Sequence, residues 1–406
     1  MCISEKELGE YEVKLKNKIK VACNKSKKDF IINLEDDFLQ KKKLNLVELI
    51  NDPFHGKGGF MPAKIKDKIK IRIGLNENLA FPEDVMKKLV REAAEKIDPR
   101  IYPEDYCDSL CELIATEHSL NSNQVVVANG GDKIIDLMVR LTLKAGYSGI
   151  VLQPTYPMYE HAIKVQGADM KELFLTPPPD YDLNPDYILE NIAPKKDRLL
   201  FLCSPNNPSG NQFDEKKLRQ IISEFPGIVA LDETYANFGR YSLIPVLKDY
   251  PNLIIMRSMS KLFGLAGIRV GYALADEFLI SRIQELLPAF NVNAFSIELA
   301  KLVMKQKDLL KKLITDITTE RDFLYNELLK INDIIPYKSF TNFILFRFKK
   351  GKAAEIQQRI LKEKGILLRN MSSMPMCENC LRVSVTTREN DLIFLKALKE
   401  MLKEKY

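Results

Sequence analysis

The sequence contains no tryptophan, and its 406 residues include only three histidines, His55, His118 and His161. So few imidazoles leave little room for histidine-centred acid–base chemistry or for a zinc site built on histidine. Cysteine is also sparse: the seven are scattered and odd in number, which does not make a disulfide framework. The one tight pair, Cys377 and Cys380 in CENC, is half of a zinc-ribbon spacing, and no second CxxC or HxxxH completes it. No apolar run approaches the roughly 20 residues a membrane-spanning helix needs, so no membrane partner is expected. The first residues, MCISEKELGEYEVKLK, lack a secretory apolar segment and carry the acids that a transit peptide avoids. The expected location is the cytoplasm.

What is present suits a soluble globular chain of two domains, with 46% hydrophobic and 29% charged residues. The 61 Lys and Arg against 55 Asp and Glu leave a net charge of +6. Lysines cluster at Lys14, Lys16, Lys18 and Lys20 and again at Lys41, Lys42 and Lys43, but no nucleic-acid motif surrounds them. They read as a solvated face, and no nucleic-acid partner is expected. GKGG (56–59) lacks the strand-to-helix context of a phosphate loop and reads as a flexible break.

From about residue 125 to 275, short apolar runs alternate with helical patterns. VVVAN (125–129), GIVLQP (149–154), RLLFLCSP, GIVALDE, NLIIMRS and IRVGYALAD are all bounded by Gly, Pro, Asn or Asp and read as buried strands. Strands alternating with helices predict an α/β fold, with a mostly parallel sheet covered by helices. LTPPPDYDLNP (175–185) is a loop by its prolines. Beyond a long helical stretch from about Ser296 to Leu329, the strands FTNFILFRF, ILLRN and LRVSVTT, the helix AAEIQQRILKEKG and a closing Lys-rich helix predict a smaller α+β domain.

In an open parallel sheet, ligands bind beyond the carboxyl ends of the strands. The loops there carry unusual residues. Gly130, Gly131 and Asp132 lead into a helix whose first amides form a ready anion site, although a glycine pair alone also reads as an ordinary tight turn. Tyr156 follows GIVLQP; by itself it reads equally as core or rim. SPNNPSG (204–210) is too polar for plain packing. Asp232 closes a buried strand, a costly place for a carboxylate unless a cation meets it, and Tyr235 lies three residues on. Ser258, Ser260 and Lys261 follow the next strand, with Arg269 eight residues after the lysine.

SPNNPSG, LDETY and SMSKLFGLAGIRVGY, in that order and spacing, resemble the motifs of fold-type I enzymes that use pyridoxal 5′-phosphate (PLP), the class I/II aminotransferases. Within them the chain is most similar to the histidinol-phosphate aminotransferase branch, through LNEN (75–78), IYP (101–103), PTYPMY (154–159), FNVN (290–293) and LRVSVTTREN (381–390). The resemblance runs from about residue 71 to the C-terminus. It implies an N-terminal extension over 1–70, an active-site cover belonging to the small domain over 71–100, a large PLP-binding domain over 101–300 and a small C-terminal domain over 301–406.

The resemblance also implies roles. Lys261 would form the Schiff base with PLP and move the proton at substrate Cα, serving as nucleophile and base. Asp232 would pair with the pyridinium nitrogen, and Asn207 and Tyr235 would hydrogen-bond the ring hydroxyl. Tyr156 would stack on the ring. The phosphate would take the amides of Gly131 and Asp132, the hydroxyls of Ser258 and Ser260, and Arg269, whose planar fork suits it. Tyr102 would reach the phosphate bound by a second subunit, which makes a homodimer part of the expectation. Arg382 would clamp a substrate carboxylate and Arg369 would lie near a substrate phosphate.

The implied reaction is amino transfer between a small amino substrate such as L-histidinol phosphate and the keto acid 2-oxoglutarate. Three alternatives share most of these residues: decarboxylation of L-threonine O-3-phosphate, transfer on aromatic amino acids, and a non-catalytic regulator. FHGKGG (54–59) is similar to an HGG found early in the decarboxylases, whereas GLAGIR and PTYPMY fit the aminotransferases. The sequence departs from the branch in three places: Lys133 follows Asp132, TTREN stands for GTREEN, and LNEN arrives late and lacks a following proline.

Overall fold

The computed structural model describes residues 31–32, 44–45 and 69–403, and the GKGG segment and early lysine clusters lie outside them. The chain divides into two units, 1–63 and 64–406. In the first, Ile31–Ile32 pairs antiparallel with Leu44–Asn45.

The second unit opens with β1 (Ile71–Arg72), α1 (Glu83–Glu95) and α2 (Asp108–His118). A seven-stranded sheet follows, made of β2 (Val125–Ala128), β3 (Ser148–Gln153), β4 (Asp169–Phe174), β5 (Asp197–Cys203), β6 (Ile228–Asp232), β7 (Leu253–Ser258) and β8 (Gly271–Leu274). The order is β2-β8-β7-β6-β5-β3-β4. β8 runs antiparallel to both neighbours, and the other neighbouring pairs are parallel. Period-two alternation sends successive residues to opposite faces. Val125 and Val127 join one apolar cluster while Val126 and Ala128 join another, and β5 splits in the same way between Leu200 and Leu202 on one side and Leu199 and Phe201 on the other. The sheet is thus buried on both faces. β4, whose DMKELF is half charged and carries no apolar run, is one of the two edge strands, and its charges guard that edge.

Helices α3 (Gly131–Thr142), α4 (Met158–Val165), α5 (Pro185–Glu190), α6 (Glu215–Glu224) and α7 (Glu277–Gln284) connect or flank these strands. The long helical stretch of the C-terminal third is two helices, α8 (Ala294–Met304) and α9 (Lys307–Leu329). The break falls at Lys305 and Gln306, where polar residues offer nothing to bury and Gln306 leaves helical geometry.

A second sheet joins β9 (Ile334–Pro336), β10 (Phe343–Phe348), β12 (Arg369–Asn370) and β13 (Cys380–Ser384) in the order β9-β10-β13-β12, all antiparallel. The expected strand ILLRN is divided: β11 (Ile366–Leu367) pairs in parallel with β1, and only Arg369–Asn370 joins the second sheet. Helix α10 (Ala353–Arg359) and the closing α11 (Arg388–Lys403) complete this part. Cys377 and Cys380 are buried and linked by a backbone turn, and among the described residues no group of His, Cys, Asp and Glu is placed to hold a metal. No described helix is long and apolar enough to cross a membrane.

Candidate active site

The carboxyl ends of β2, β5, β6 and β7 open onto a cavity of about 220 Å³. Gly131 and Asp132 line it from the start of α3, Tyr156 and Asn207 from the loops after β3 and β5, and Asp232 and Tyr235 from the end of β6. Ser258, Ser260, Lys261 and Arg269 complete the wall from the connection between β7 and β8. The sequence spread these residues over more than a hundred positions; the sheet brings them together.

At the floor, Asp232 is buried, and burial raises its pKa above the ordinary aspartate value against the pull of its hydrogen bonds. Tyr159 donates its hydroxyl to Oδ2 at 2.6 Å, and the Thr234 amide donates to Oδ1 at 2.8 Å. No described cation pairs with it. A buried acid supplied only with neutral donors is incomplete by several kcal/mol, and the cation it lacks is what a protonated pyridine nitrogen provides.

At the opposite end lies the anion cradle. Gly130 precedes α3 with φ of 85°, and a β-carbon there would stand 2.7 Å from Arg269 Nη2. A β-carbon on Gly271 would stand 2.5 Å from the Gly131 amide. Glycine at these positions lets β8 and the start of α3 close on each other, so that Arg269 and the first amides of α3 share one corner. Arg269 pairs with Asp132 at 3.0 Å, and Tyr156 donates to the same carboxylate at 3.0 Å. The Ser258 hydroxyl accepts from the Ser260 amide at 3.1 Å.

Lys261 Nζ lies between the two ends and donates to the Leu75 carbonyl at 3.2 Å. Its enclosed position, and then the positive charge of Arg382, lower its pKa to about 8. An amine with that pKa is partly neutral near physiological pH and able to act as a nucleophile.

The two arginines expected to bind substrate sit differently from the residues expected to hold a cofactor. Arg382, on β13, does not line the cavity but lies one hydrogen bond behind it. It donates to Asn207 Oδ1 at 2.5 Å and to the Gly74 carbonyl at 3.2 Å. Its guanidinium is buried with no acidic partner among the described residues, its Nε is unpartnered, and burial lowers its pKa to about 10. Because Asn207 gives its oxygen to Arg382, its amide N–H₂ is left to donate into the cavity. Arg369 stands directly opposite Arg382 in the β12–β13 register. Tyr102 is exposed, stacks on Phe290 at 4.7 Å and lies outside this chain's cavity.

Two residues carry contacts to the site that the sequence reading assigned to no role. Tyr159, within PTYPMY, is the second residue of α4, and its ring meets that of Tyr156, three positions earlier, edge-on at 5.7 Å. Asn76, within LNEN, donates its amide to the Tyr235 hydroxyl at 3.0 Å.

Residues 68–398 match the family model for aminotransferases of class I and II. Histidinol-phosphate aminotransferase of Caldanaerobacter subterraneus subsp. tengcongensis is 34% identical over 334 residues, 82% of this chain and 93% of that protein. Histidinol-phosphate aminotransferase from Sinorhizobium meliloti, solved in complex with pyridoxal-5′-phosphate, shares the fold at a TM-score of 0.77 and 23% identity, covering 83% of this chain and 92% of that one. L-threonine-O-3-phosphate decarboxylase from Porphyromonas gingivalis also shares it, at a TM-score of 0.72 and 23% identity, covering 82% of this chain and 99% of that one. The family match takes in every strand end that opens on the cavity, and on it the chain belongs to the class I and II aminotransferases, with pyridoxal phosphate as its cofactor.

Proposed function

We propose that the chain transfers an amino group between a phosphate-bearing amino substrate such as L-histidinol phosphate and 2-oxoglutarate. The observation that carries this reading is the arginine pair. Arg382 is buried without a carboxylate, and Arg369 faces it across two strands. Two such cations suit substrates that bring anionic groups of their own, a phosphate in one half of the cycle and carboxylates in the other. The names of the curated relatives support the same substrate.

Bound PLP supplies an electron sink for the carbanion at substrate Cα. The remaining work falls to side chains of this chain. Asp232 keeps a proton on the ring nitrogen by offering it an anion. Lys261 holds the cofactor at its aldehyde carbon and carries the proton at Cα, for which its lowered pKa of about 8 is suited. Asn207 and Tyr235 would donate to the ring oxygen, and Tyr156 would stack on the ring. Ser258, Ser260, Arg269 and the amides of Gly131 and Asp132 hold the phosphate. Tyr102, exposed here, serves the second copy of a homodimer. A large domain over 101–300 and a smaller one built from 71–100 and 301–406 belong to the same proposal, as does a cytoplasmic location.

The test is an absorption titration of the PLP-loaded protein with L-histidinol phosphate and no keto acid. The expected result is loss of the visible band and its return on adding 2-oxoglutarate. A band unmoved by histidinol phosphate would reject the substrate. Carbon dioxide released from threonine phosphate would make the reaction a decarboxylation instead.

A further inference from the structure

What Tyr235 does in the cavity depends on where its hydroxyl proton points. A phenol can donate one hydrogen bond and accept others, and only a donor can neutralise an oxygen anion on a ligand. Burial raises the Tyr235 pKa, so the hydroxyl keeps its proton across the working pH range. Among the described residues nothing accepts that proton, while Asn76 Nδ2 donates to the oxygen at 3.0 Å. The oxygen's acceptor side is thereby occupied from behind.

The orientation of the Asn76 amide is itself fixed. Ser384 Oγ, on β13, donates to Asn76 Oδ1 at 3.2 Å and accepts from the Asn76 backbone N–H at 2.9 Å. Asn342 Nδ2 donates to the Asn76 carbonyl at 3.2 Å. The Ser384 hydroxyl proton has no other acceptor among the described residues, and spending it on the amide oxygen leaves the amide nitrogen for Tyr235. Asn76 is buried, and its φ of 57° lies in the left-handed region that asparagine tolerates better than most residues. Neighbouring groups of the same segment reach the site as well: the Gly74 carbonyl holds Arg382, the Leu75 carbonyl holds Lys261, and Asn78 Nδ2 donates to the Leu262 carbonyl at 2.7 Å.

We infer that Asn76 is a positioning residue: held by Ser384 and Asn342, it fixes Tyr235 as a hydrogen-bond donor into the cavity. The inference rests on the reading that Tyr235 faces the cofactor's ring oxygen. It adds that the second sheet, through Ser384, sets the polarity of that contact.

The experiment is a double-mutant cycle between Asn76→Gly and Tyr235→Phe in the full chain. Glycine keeps the left-handed backbone and removes only the side chain. Two quantities are read: the Kd for PLP, by titration of the apoprotein, and the pH midpoint of the bound cofactor's visible absorbance. With Tyr235 present, Asn76→Gly is expected to weaken PLP about tenfold, the cost of one hydrogen bond to a charged group. It is also expected to raise the midpoint by about one pH unit, because a donor at the ring oxygen favours the deprotonated form. In the Tyr235→Phe background the same change should stay within about twofold. Equal effects in both backgrounds, or no effect in either, would overturn the inference. Ser384→Ala, which frees the amide to rotate, should give a smaller effect that also vanishes with Tyr235→Phe, and it answers the question if Asn76→Gly does not fold. The underlying reading is tested separately by Lys261→Ala: PLP still fixed covalently to the chain by borohydride after that change would overturn the placement of the cofactor in this cavity, whatever Asn76 does.

Discussion

Tyr159→Phe removes a single hydroxyl. The ring stacks on Phe201 at 4.6 Å and 6°, and phenylalanine keeps that stacking while deleting the hydroxyl that donates to Asp232. Among the described residues, the carboxylate is left with Thr234, through its amide and its side chain. A hydrogen bond to a buried charge contributes about 1.5–3 kcal/mol, or one to two pKa units of added difficulty in holding the charge. The PLP affinity of the apoprotein should therefore fall by about 10- to 150-fold.

The same change predicts a pH dependence in the apoprotein. Burial already places the folded-state pKa of Asp232 above its unfolded value. For a carboxylate raised in this way the stability penalty is absent below the unfolded pKa of about 4, and it grows until pH passes the folded value. Tyr159→Phe raises the folded value further. Thermal denaturation of the two apoproteins should then nearly coincide in acid and separate as pH rises toward neutrality, and saturating PLP should widen the gap, because the variant binds it less tightly. Unchanged PLP affinity together with parallel melting curves at every pH would refute the view of Asp232 as an unneutralised anion awaiting the cofactor.

Three further outcomes are expected. Uptake of PLP by the apoprotein at Lys261, trapped by borohydride at a series of pH values, should inflect near pH 8, and an inflection at the ordinary lysine value would contradict the enclosed, partly neutral amine. Arg382→Lys keeps a charge but loses the planar fork, so KM for both substrates should rise about tenfold with only a small change in the bound-cofactor spectrum; an unchanged KM would remove Arg382 from substrate binding. Gly271→Ala drives a methyl against the Gly131 amide and should cost about 1–3 kcal/mol in urea denaturation, together with weaker PLP binding; wild-type values for both would show that the corner relaxes freely.

Much of this architecture was legible because the strands of a doubly covered sheet announce themselves as short, β-branched runs, and because polar residues just after such runs have few structural reasons to be there. Asp232, Lys261 and SPNNPSG were readable on that ground. Edge strand β4 was not, since a strand half in solvent has no need of an apolar run. The break at Lys305 and Gln306 escaped because helical periodicity continues in phase on both sides of it. Tyr159 and Asn76 escaped for another reason: their meaning lies in partners 73 and 159 positions away, and nothing local distinguishes a tyrosine that holds a carboxylate from one that fills space. The arginines show the converse, for the sequence named Arg382 but only the structure places it behind Asn207.

The reversed strand β8 has a consequence for assembly. A parallel neighbour of β7 would have required a crossover carrying the chain back to the opposite end of the strands. Because β8 runs the other way, the chain turns at the cavity rim and re-enters the sheet from there, so Ser258, Lys261 and Arg269 lie on one uninterrupted rim loop. The groups proposed to capture the cofactor and to hold its phosphate are thus neighbours along the chain, and bringing them together costs little loop-closure entropy. This corner can form as soon as two adjacent strands pair, before Asp232 or the distant arginines find their places.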